Sequence, residues 1–318
     1  MNDKISVFGS FVVDLMGRAH HLPVPGETIM GSAFKMGPGG KGSNQAIAAG
    51  RAGGDTTFIT KLGRDIFGRI AVDFYESEGL STDYLFTHES EPTGTALILV
   101  DENTSENSIL VNSGACGHIT KADLNKAEGV LSDSRILLTQ LEINLDILPA
   151  ALEIFRKTGG TAILNPAPAQ KIDDSLLSSF DIITPNEVEA SILSGIEVAD
   201  FVSAEEAADV FISKGVKNVI ITMGSLGVFI KQAGGLTKSH IIPAFSVDAV
   251  DSTGAGDAFN GGFAAALAKG YSIKDAAVFG SATAALSVTK IGTAPAMPGL
   301  DEVTAFLRLN KGETIIDL

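Results

Sequence analysis

The chain has 318 residues, 45% of them hydrophobic and 19% charged, with a formal net charge of −15 and a single cysteine, Cys116. This length allows one large or two ordinary domains, and the composition is that of a globular rather than a disordered chain. The acidic balance argues against nucleic acid or an anionic membrane surface as partner. No apolar run approaches the roughly 18–20 residues needed to span a bilayer. One thiol cannot close an internal disulfide, and the N-terminus runs straight into a strand, so a cytoplasmic protein is expected. An acidic chain can still hold a phosphate tail through a few backbone N–H groups and a shared Mg2+ ion.

In chain order, Ile5–Gly9 reads as a buried strand and Phe11–Met16 as an extended run carrying an acid, Asp14, among apolar residues. Pro23, Pro25 and Gly26 predict a loop, and Thr28–Met36 a strand. The run Gly37-Pro38-Gly39-Gly40-Lys41-Gly42 predicts a sharp break, with Ser43 capping a helix that reaches Ala52. Strand Thr57–Leu62 and helix Ile66–Glu78 follow. Thr95–Val100 and Ser108–Val111 flank a polar turn and read as a hairpin. Strands without a helix between them do not fit a βαβ repeat. They are therefore assigned to a separate small sheet drawn from about residues 11–17, 28–37 and 93–112.

After Thr120 the rhythm is regular. Helices are predicted at Lys121–Leu131, Leu145–Lys157, Glu187–Ser194 and Ala204–Lys214. Strands are predicted at Arg135–Thr139, Thr161–Asn165, Asp181–Thr184, Asn218–Met223, Gly227–Lys231 and Ile241–Val250. Helices Ala258–Lys269, Lys274–Thr289 and Leu300–Asn310 complete the chain. The alternation predicts an α/β protein with a parallel sheet covered on both faces, a class that binds ligands at the carboxyl ends of its strands.

The stretch Asp251–Phe263 stands at a junction between strand and helix. Backbone N–H groups at Gly254, Ala255 and Gly256 would lie at a helix start with no intrahelical partner, which makes a ready anion site. Asp257 follows at once, a carboxylate placed to act as a base beside a phosphate; a tight turn with an ordinary first-turn acid is the plainer alternative. Gly37-x-Gly39-x-x-Gly42 formally matches a dinucleotide fingerprint, but it follows the suspected small sheet rather than the first strand of a βαβ unit. It is not a Walker A loop either, since Gly42 stands where Ser or Thr belongs. It does place Lys41 and Asn44 beside flexible backbone, where they could hold hydroxyls or phosphate. Asn186 and Glu189 share one helical face and suit Mg2+-bound water or phosphate, although a helix start with first-turn acids looks the same. Thr222-Met223-Gly224-Ser225-Leu226-Gly227 ends a strand with small polar residues, as a β-turn also would. Asp14 and Glu142 could clamp a polyhydroxylated ligand or could be solvated strand ends. His20, His21, His88, His118 and His240 pair with no nucleophile in the sequence and are given structural or solvent roles.

Two of these segments, Gly39-Gly40-Lys41-Gly42-Ser43-Asn44-Gln45-Ala46 and Asp251-Ser252-Thr253-Gly254-Ala255-Gly256-Asp257, resemble in type and order the two signatures of the ribokinase family of carbohydrate kinases. Asn165-Pro166-Ala167-Pro168-Ala169 and the Asn186-x-x-Glu189 step add to a resemblance that covers nearly the whole chain. The resemblance implies a three-layer α/β/α domain over residues 1–318, with a mostly parallel central sheet and a small β-sheet lid through which two copies pair. It implies ATP-dependent phosphorylation of a sugar hydroxyl, the 5-hydroxyl of ribose or 2-deoxyribose. Asp257 would be the general base, and Gly254, Ala255 and Gly256 the anion hole. Sugar contacts would fall on Asp14, Gly39, Gly40, Lys41, Asn44, Glu142 and Asp257. Nucleotide contacts would fall on Asn186, Thr222, Gly224, Ser225, Gly227, Gly256 and Ser281. Glu189 would act on Mg2+ indirectly. An activating K+ would sit near Asp251 and Thr253, with Ser287, Lys290, Gly292 and Ala296 around it.

The chain departs from the family pattern at two places. Members carry Gly-Ser-x-Asn-x-Asp after the first strand, whereas here Gly9-Ser10-Phe11-Val12-Val13-Asp14 puts an apolar Val12 at the Asn position. Ala296 stands where the family places a Ser beside the monovalent cation. Alternative readings are a kinase of the same fold for another sugar or a nucleoside, a sugar-binding regulator without catalysis, and a dehydrogenase resting on the glycine match alone. Few aromatic residues lie near the small sheet to stack on a base, which weighs against a nucleoside.

Overall fold

A computed structural model describes residues 3–104, 106–234, 239–310 and 316–317. The first strand, β1 (Lys4–Phe8), leads into β2 (Val12–Ala19) and β3 (Ala33–Gly39), and the chain then returns through α1 (Lys41–Arg51), β4 (Asp55–Gly63) and α2 (Ile66–Ser77). A second excursion leaves after β5 (Leu85–His88) and forms β6 (Thr93–Asp101) and β7 (Asn107–Gly114). The remainder alternates. It runs through α3 (Lys121–Lys126), α4 (Glu128–Ser132), β8 (Ile136–Thr139), α5 (Leu148–Phe155), β9 (Thr161–Leu164), α6 (Asp174–Leu177) and β10 (Ile182–Ile183). Then come α7 (Glu187–Ser194), α8 (Phe201–Ser213), β11 (Asn218–Thr222), β12 (Val228–Gln232) and β13 (His240–Ile242). Three helices, α9 (Ala255–Ala268), α10 (Ile273–Ser287) and α11 (Leu300–Leu309), precede the edge strand β14 (Ile316–Asp317).

Ten strands form the main sheet in the order β14-β13-β12-β11-β10-β9-β8-β1-β4-β5. The pairings from β11 through to β5 are parallel, and those among β11, β12, β13 and β14 are antiparallel. Strands such as Ile136-Leu137-Leu138 and Val219-Ile220-Ile221 are apolar without alternation because helices cover both faces. The other four strands form a separate sheet, β3-β2-β6-β7, which is the predicted lid. Its two halves come from the two excursions and are joined by the parallel β2–β6 pair, with Val12 opposite Gly94 and Asp14 opposite Ala96.

Several predicted boundaries are corrected. The second lid strand is not Thr28–Met36. It begins at Ala33 and runs through Gly37, Pro38 and Gly39, which pair with Asp14, Val13 and Val12. Pro38 is tolerated because β3 is an edge strand. Ser43 is not the N-cap of α1; Gly40 is, at φ 90°, and Ser43 is buried with its hydroxyl accepting a hydrogen bond from Tyr75 at 2.6 Å. The strand expected over Ile241–Val250 covers only His240–Ile242, since Pro243 has no N–H to continue the ladder. Helix α9 begins three residues earlier than predicted, which places Gly256 and Asp257 in its first turn. The helix predicted over Lys121–Leu131 divides at Ala127. Short elements β5 and α6 carry no sequence signal strong enough to predict them.

Candidate active site

Four segments converge at the carboxyl ends of the parallel strands. Helix α9 contributes Asp257, which is buried with 6% of its surface exposed. Helix α1 runs beside α9 and contributes Asn44 and Gln45. Asn44 Nδ2 donates to Asp257 Oδ2 at 3.0 Å and Gln45 Nε2 donates to Asp257 Oδ1 at 2.9 Å. The segment after β8 contributes Glu142, whose Oε2 accepts the Lys41 backbone N–H at 2.9 Å and the Ser10 hydroxyl. Asp14 enters from the lid strand β2. Its carboxylate lies over the Gly39 Cα, where an added Cβ would come within 2.3 Å of Asp14 Oδ1, so this packing requires glycine at position 39.

The cluster is electrostatically tense. Burial pushes Asp14 up to about 6, helped by Glu142 and Asp257. Burial likewise pushes Asp257 above the usual carboxylate range, opposed by Lys41 and by the Gln45 and Asn44 hydrogen bonds. Burial works to lower Lys41, but Asp257, Glu142 and Glu189 outweigh it and hold the ammonium above its ordinary value. One lysine thus faces several carboxylates, an arrangement that keeps the cation charged and leaves the acids competing for it.

The start of α9 is an anion site in geometry. Gly254 is the N-cap at φ 78°. Ala255 N–H is returned to Ser252 O at 3.2 Å, whereas the N–H groups of Gly254 and Gly256 have no acceptor among the described residues. A Cβ built on Gly256 would meet nothing within 4 Å, so the space over this turn is open. The Asn44 Oδ1 and Ser281 Oγ atoms are buried without a hydrogen-bond partner. Gln140 Oε1 is a third such atom; Asn44 and Ser281 stand at the positions expected to contact sugar and nucleotide respectively.

The remaining predicted residues fall into two further groups. Asn186 caps α7 in a reciprocal pair with Glu189, at 2.8 and 2.9 Å, and bridges to Thr222 at the end of β11. Gly224 and Ser225 form the turn that follows. Gly227 has a structural reason of its own: at φ 108° an added Cβ would lie 2.0 Å from Ile242 O. Burial pushes Glu189 up, opposed by the hydrogen bond from the Asn186 N–H and by Lys41. Asp251 accepts from Thr253 N–H at 3.0 Å and Gly292 N–H at 2.9 Å, which joins two of the segments expected around a monovalent cation. Ser287 O accepts from Lys290 N–H at 3.1 Å, the Lys290 ammonium pairs with Glu302, and Ala296 is buried. Among the described residues no cluster of three His, Cys, Asp or Glu side chains could hold a metal ion, and no helix is long and apolar enough to cross a membrane. A cavity of about 550 Å³ separates the lid from the body, with Asp14, Met16 and Ile98 on one side and Asp251, Thr253 and Gly292 on the other. Of the carboxylate cluster it is lined by Asp14, and not by Lys41, Glu142 or Asp257.

Sequence reasoning gave no role to Gln140 and Asn260, and met Ser10, Gln45 and Asn165 only as letters in motifs. All five take part in buried hydrogen bonds around the cluster. Polar residues placed directly after apolar strands, as Ser10 and Gln140 are, were the available signal.

The model of the pfkB family carbohydrate kinases matches residues 2–299. A ribokinase of Haemophilus influenzae is 44% identical over 307 residues, spanning 96% of this chain and 99% of its own. A deoxyribokinase of Salmonella typhi is 37% identical over 310 residues, spanning 96% and 99%. Among solved structures, the Arabidopsis thaliana ribokinase complexed with ribose and ATP superposes with a TM-score of 0.89 at 30% identity, covering 97% of this chain and 99% of that one. The Thermotoga maritima ribokinase superposes at 0.85 with 37% identity, covering 96% and 99%.

Asp14 gives a pH prediction. An ionised Asp14 accepts hydroxyl protons and a neutral one does so less well. Pentose affinity, measured by calorimetry without nucleotide, should fall roughly tenfold as pH drops from 7 to 5 through the raised value of Asp14. Asp14→Asn should flatten that dependence. A wild-type affinity constant across this range would remove Asp14 from the sugar contacts.

Proposed function

The chain belongs to the pfkB family of carbohydrate kinases, and from that premise we propose that it transfers the γ-phosphoryl group of ATP to the 5-hydroxyl of a pentose. The observation that carries this reading is the buried Asp257 carboxylate in the first turn of α9, beside the unpartnered N–H groups of Gly254 and Gly256. Asp257 takes the proton from the sugar hydroxyl while the oxygen–phosphorus bond forms and the bond to the ADP oxygen breaks. Gly254, Ala255 and Gly256 line the place where charge develops on the phosphoryl oxygens. Asp14, Gly39, Gly40, Lys41, Asn44 and Glu142 hold the sugar; Asn186, Thr222, Gly224, Ser225, Gly227 and Ser281 line the path of the nucleotide. With no metal-binding cluster among the described residues, Mg2+ would be held mainly by the nucleotide phosphates and water, with Glu189 reaching it through water. Bound there, it neutralises phosphate charge.

Sugar choice rests on Val12. It is 3% exposed and, by the register of β2, on the same face of the lid as Asp14. It offers no hydrogen bond, and a hydroxyl buried without a partner costs about 1–3 kcal/mol. We infer that 2-deoxyribose is used at least comparably to ribose. A panel of sugars assayed by ADP release tests both points. Pentoses should turn over, and Asp257→Asn should abolish turnover while sugar still binds. A hundredfold or greater preference in kcat/KM for ribose would sink the deoxy reading, and near-normal turnover by Asp257→Asn would remove the base.

K+ is proposed to lie beside Asp251, held by its carboxylate and by backbone carbonyls near Thr253, Ser287, Lys290 and Gly292. Ala296 supplies no side-chain oxygen to this set. The rate should rise when KCl replaces NaCl; a flat titration would dispense with the site.

The lid face turned away from the cavity exposes Phe34, Met36, Leu97, Leu99 and Leu110, which the strand registers place side by side. A contiguous apolar sheet face of this kind favours burial against a partner, and we propose that two copies pair through it. Sedimentation should show a dimer at micromolar concentration, and Leu97→Lys should shift it to monomer. A monomeric wild type would end this proposal.

A further inference from the structure

Behind Asp257 lies a chain of buried carboxamides that the catalytic reading leaves without a task. Gln45 Nε2 donates one hydrogen to Asp257 Oδ1 at 2.9 Å and the other to Asn165 Oδ1 at 3.0 Å. Gln45 Oε1 accepts from Gln140 Nε2 at 2.6 Å. Asn165 Nδ2 donates to the Thr184 backbone carbonyl at 2.9 Å. The Thr184 hydroxyl donates to Asn260 Oδ1 at 2.6 Å, and Asn260 Nδ2 returns to Gly256 O at 2.8 Å. Gln45, Gln140, Asn165, Thr184 and Asn260 are all buried.

The direction of this chain at Gln45 is fixed by a backbone carbonyl, that of Thr184. A backbone carbonyl can only accept, so Thr184 O draws the Asn165 amide nitrogen toward itself. Asn165 must then present its oxygen to Gln45. Gln45 in turn must present its nitrogen, and the second hydrogen on that nitrogen falls on Asp257. Reversing Gln45 would set its oxygen against two acceptors and its nitrogen against the Gln140 donor, leaving buried groups unpaired.

We propose that Gln45 is a positioning residue for Asp257, with its polarity set by Asn165, and that it keeps a hydrogen-bond donor aimed permanently at the base. This rests on reading Asp257 as the base. With Asn44 donating to the other oxygen, both carboxylate oxygens face N–H groups. Protonating either oxygen weakens the hydrogen bond it accepts, so the network favours the ionised form against the burial that disfavours it. It also fixes the plane of the carboxylate, and so the direction in which its free lone pairs meet a hydroxyl.

The test is the pH profile of kcat. The acid limb reports ionisation of the base in the substrate complex, and losing a donor to the ionised form moves that limb upward. Gln45→Met should shift it up by about one pH unit or more, with kcat recovering at higher pH and the KM for ATP unchanged. Asn165→Ala, which leaves Gln45 in place but frees its amide, should move the limb the same way by less, and it covers the case in which Gln45→Met does not fold. Limbs that stay where they are, with kcat unchanged or lowered equally at every pH, would overturn the proposal. Asp257→Asn in the same assay separates the two readings. If it keeps near-normal turnover, the base assignment has failed. If it is inactive while the acid limbs of the other two variants are unmoved, only the positioning role has failed.

Discussion

The site depends on how closely α1 and α9 pass. A Cβ at Gly261 would lie 2.4 Å from the Ala48 Cβ and 2.7 Å from the Gln45 carbonyl oxygen, so the two helices meet with almost no side chain between them. Ala48 and Ala49 of α1 border Gly261 at this seam, and both are buried. Contact at backbone distance brings consecutive α1 residues, Asn44 and Gln45, onto one carboxylate of α9. Hydrogen bonds tolerate only a few tenths of an ångström before they weaken. A seam wider by one methyl group would break both at once and leave a buried charge without support.

Net charge and local chemistry point in opposite directions in this protein. A chain at −15 repels a polyphosphate at long range. Within the site any attraction for an anion would be short-ranged and directional, from the open N–H groups at the α9 N-terminus and from Lys41, whose charge is secured by the acids around it. Such a site selects anions by where their oxygens can be placed, not by how much charge they carry. The Asp14, Glu142 and Asp257 carboxylates are suited to neutral, hydroxyl-rich ligands, which the repulsive surface does not affect.

Much of the architecture was legible in the sequence because parallel strands buried on both faces are continuous apolar runs, and Ile136–Thr139 or Asn218–Thr222 could hardly be anything else. The lid was legible as strands lacking a helix between them. What misled was local chemistry overruled by pairing. Gly37-Pro38-Gly39 has the composition of a turn, yet it stays extended because β2 supplies a full register of partners. In the other direction, one residue without an N–H, Pro243, ended a strand that hydropathy would have extended. At the site, Asp257 and Asn44 stood out because they follow glycines at fixed spacing. The Gln45–Gln140–Asn165–Asn260 network did not, because its members are scattered from α1 to α9 and only the folded sheet ends bring them together.

The lid is assembled from two separate excursions, and this bears on how the chain reaches its native state. Strand β2 finds one neighbour nearby in β3, but its other neighbour, β6, is made only after α1, β4, α2 and β5. The parallel β2–β6 pair is therefore a non-local contact, whose closure costs chain entropy that the completed sheet must offset. Without it β2 would keep an open edge, and the apolar face made by Phe34, Met36, Leu97, Leu99 and Leu110 would be divided between two separate hairpins. One strand pair thus decides whether the two excursions act as a single sheet over the carboxylate cluster.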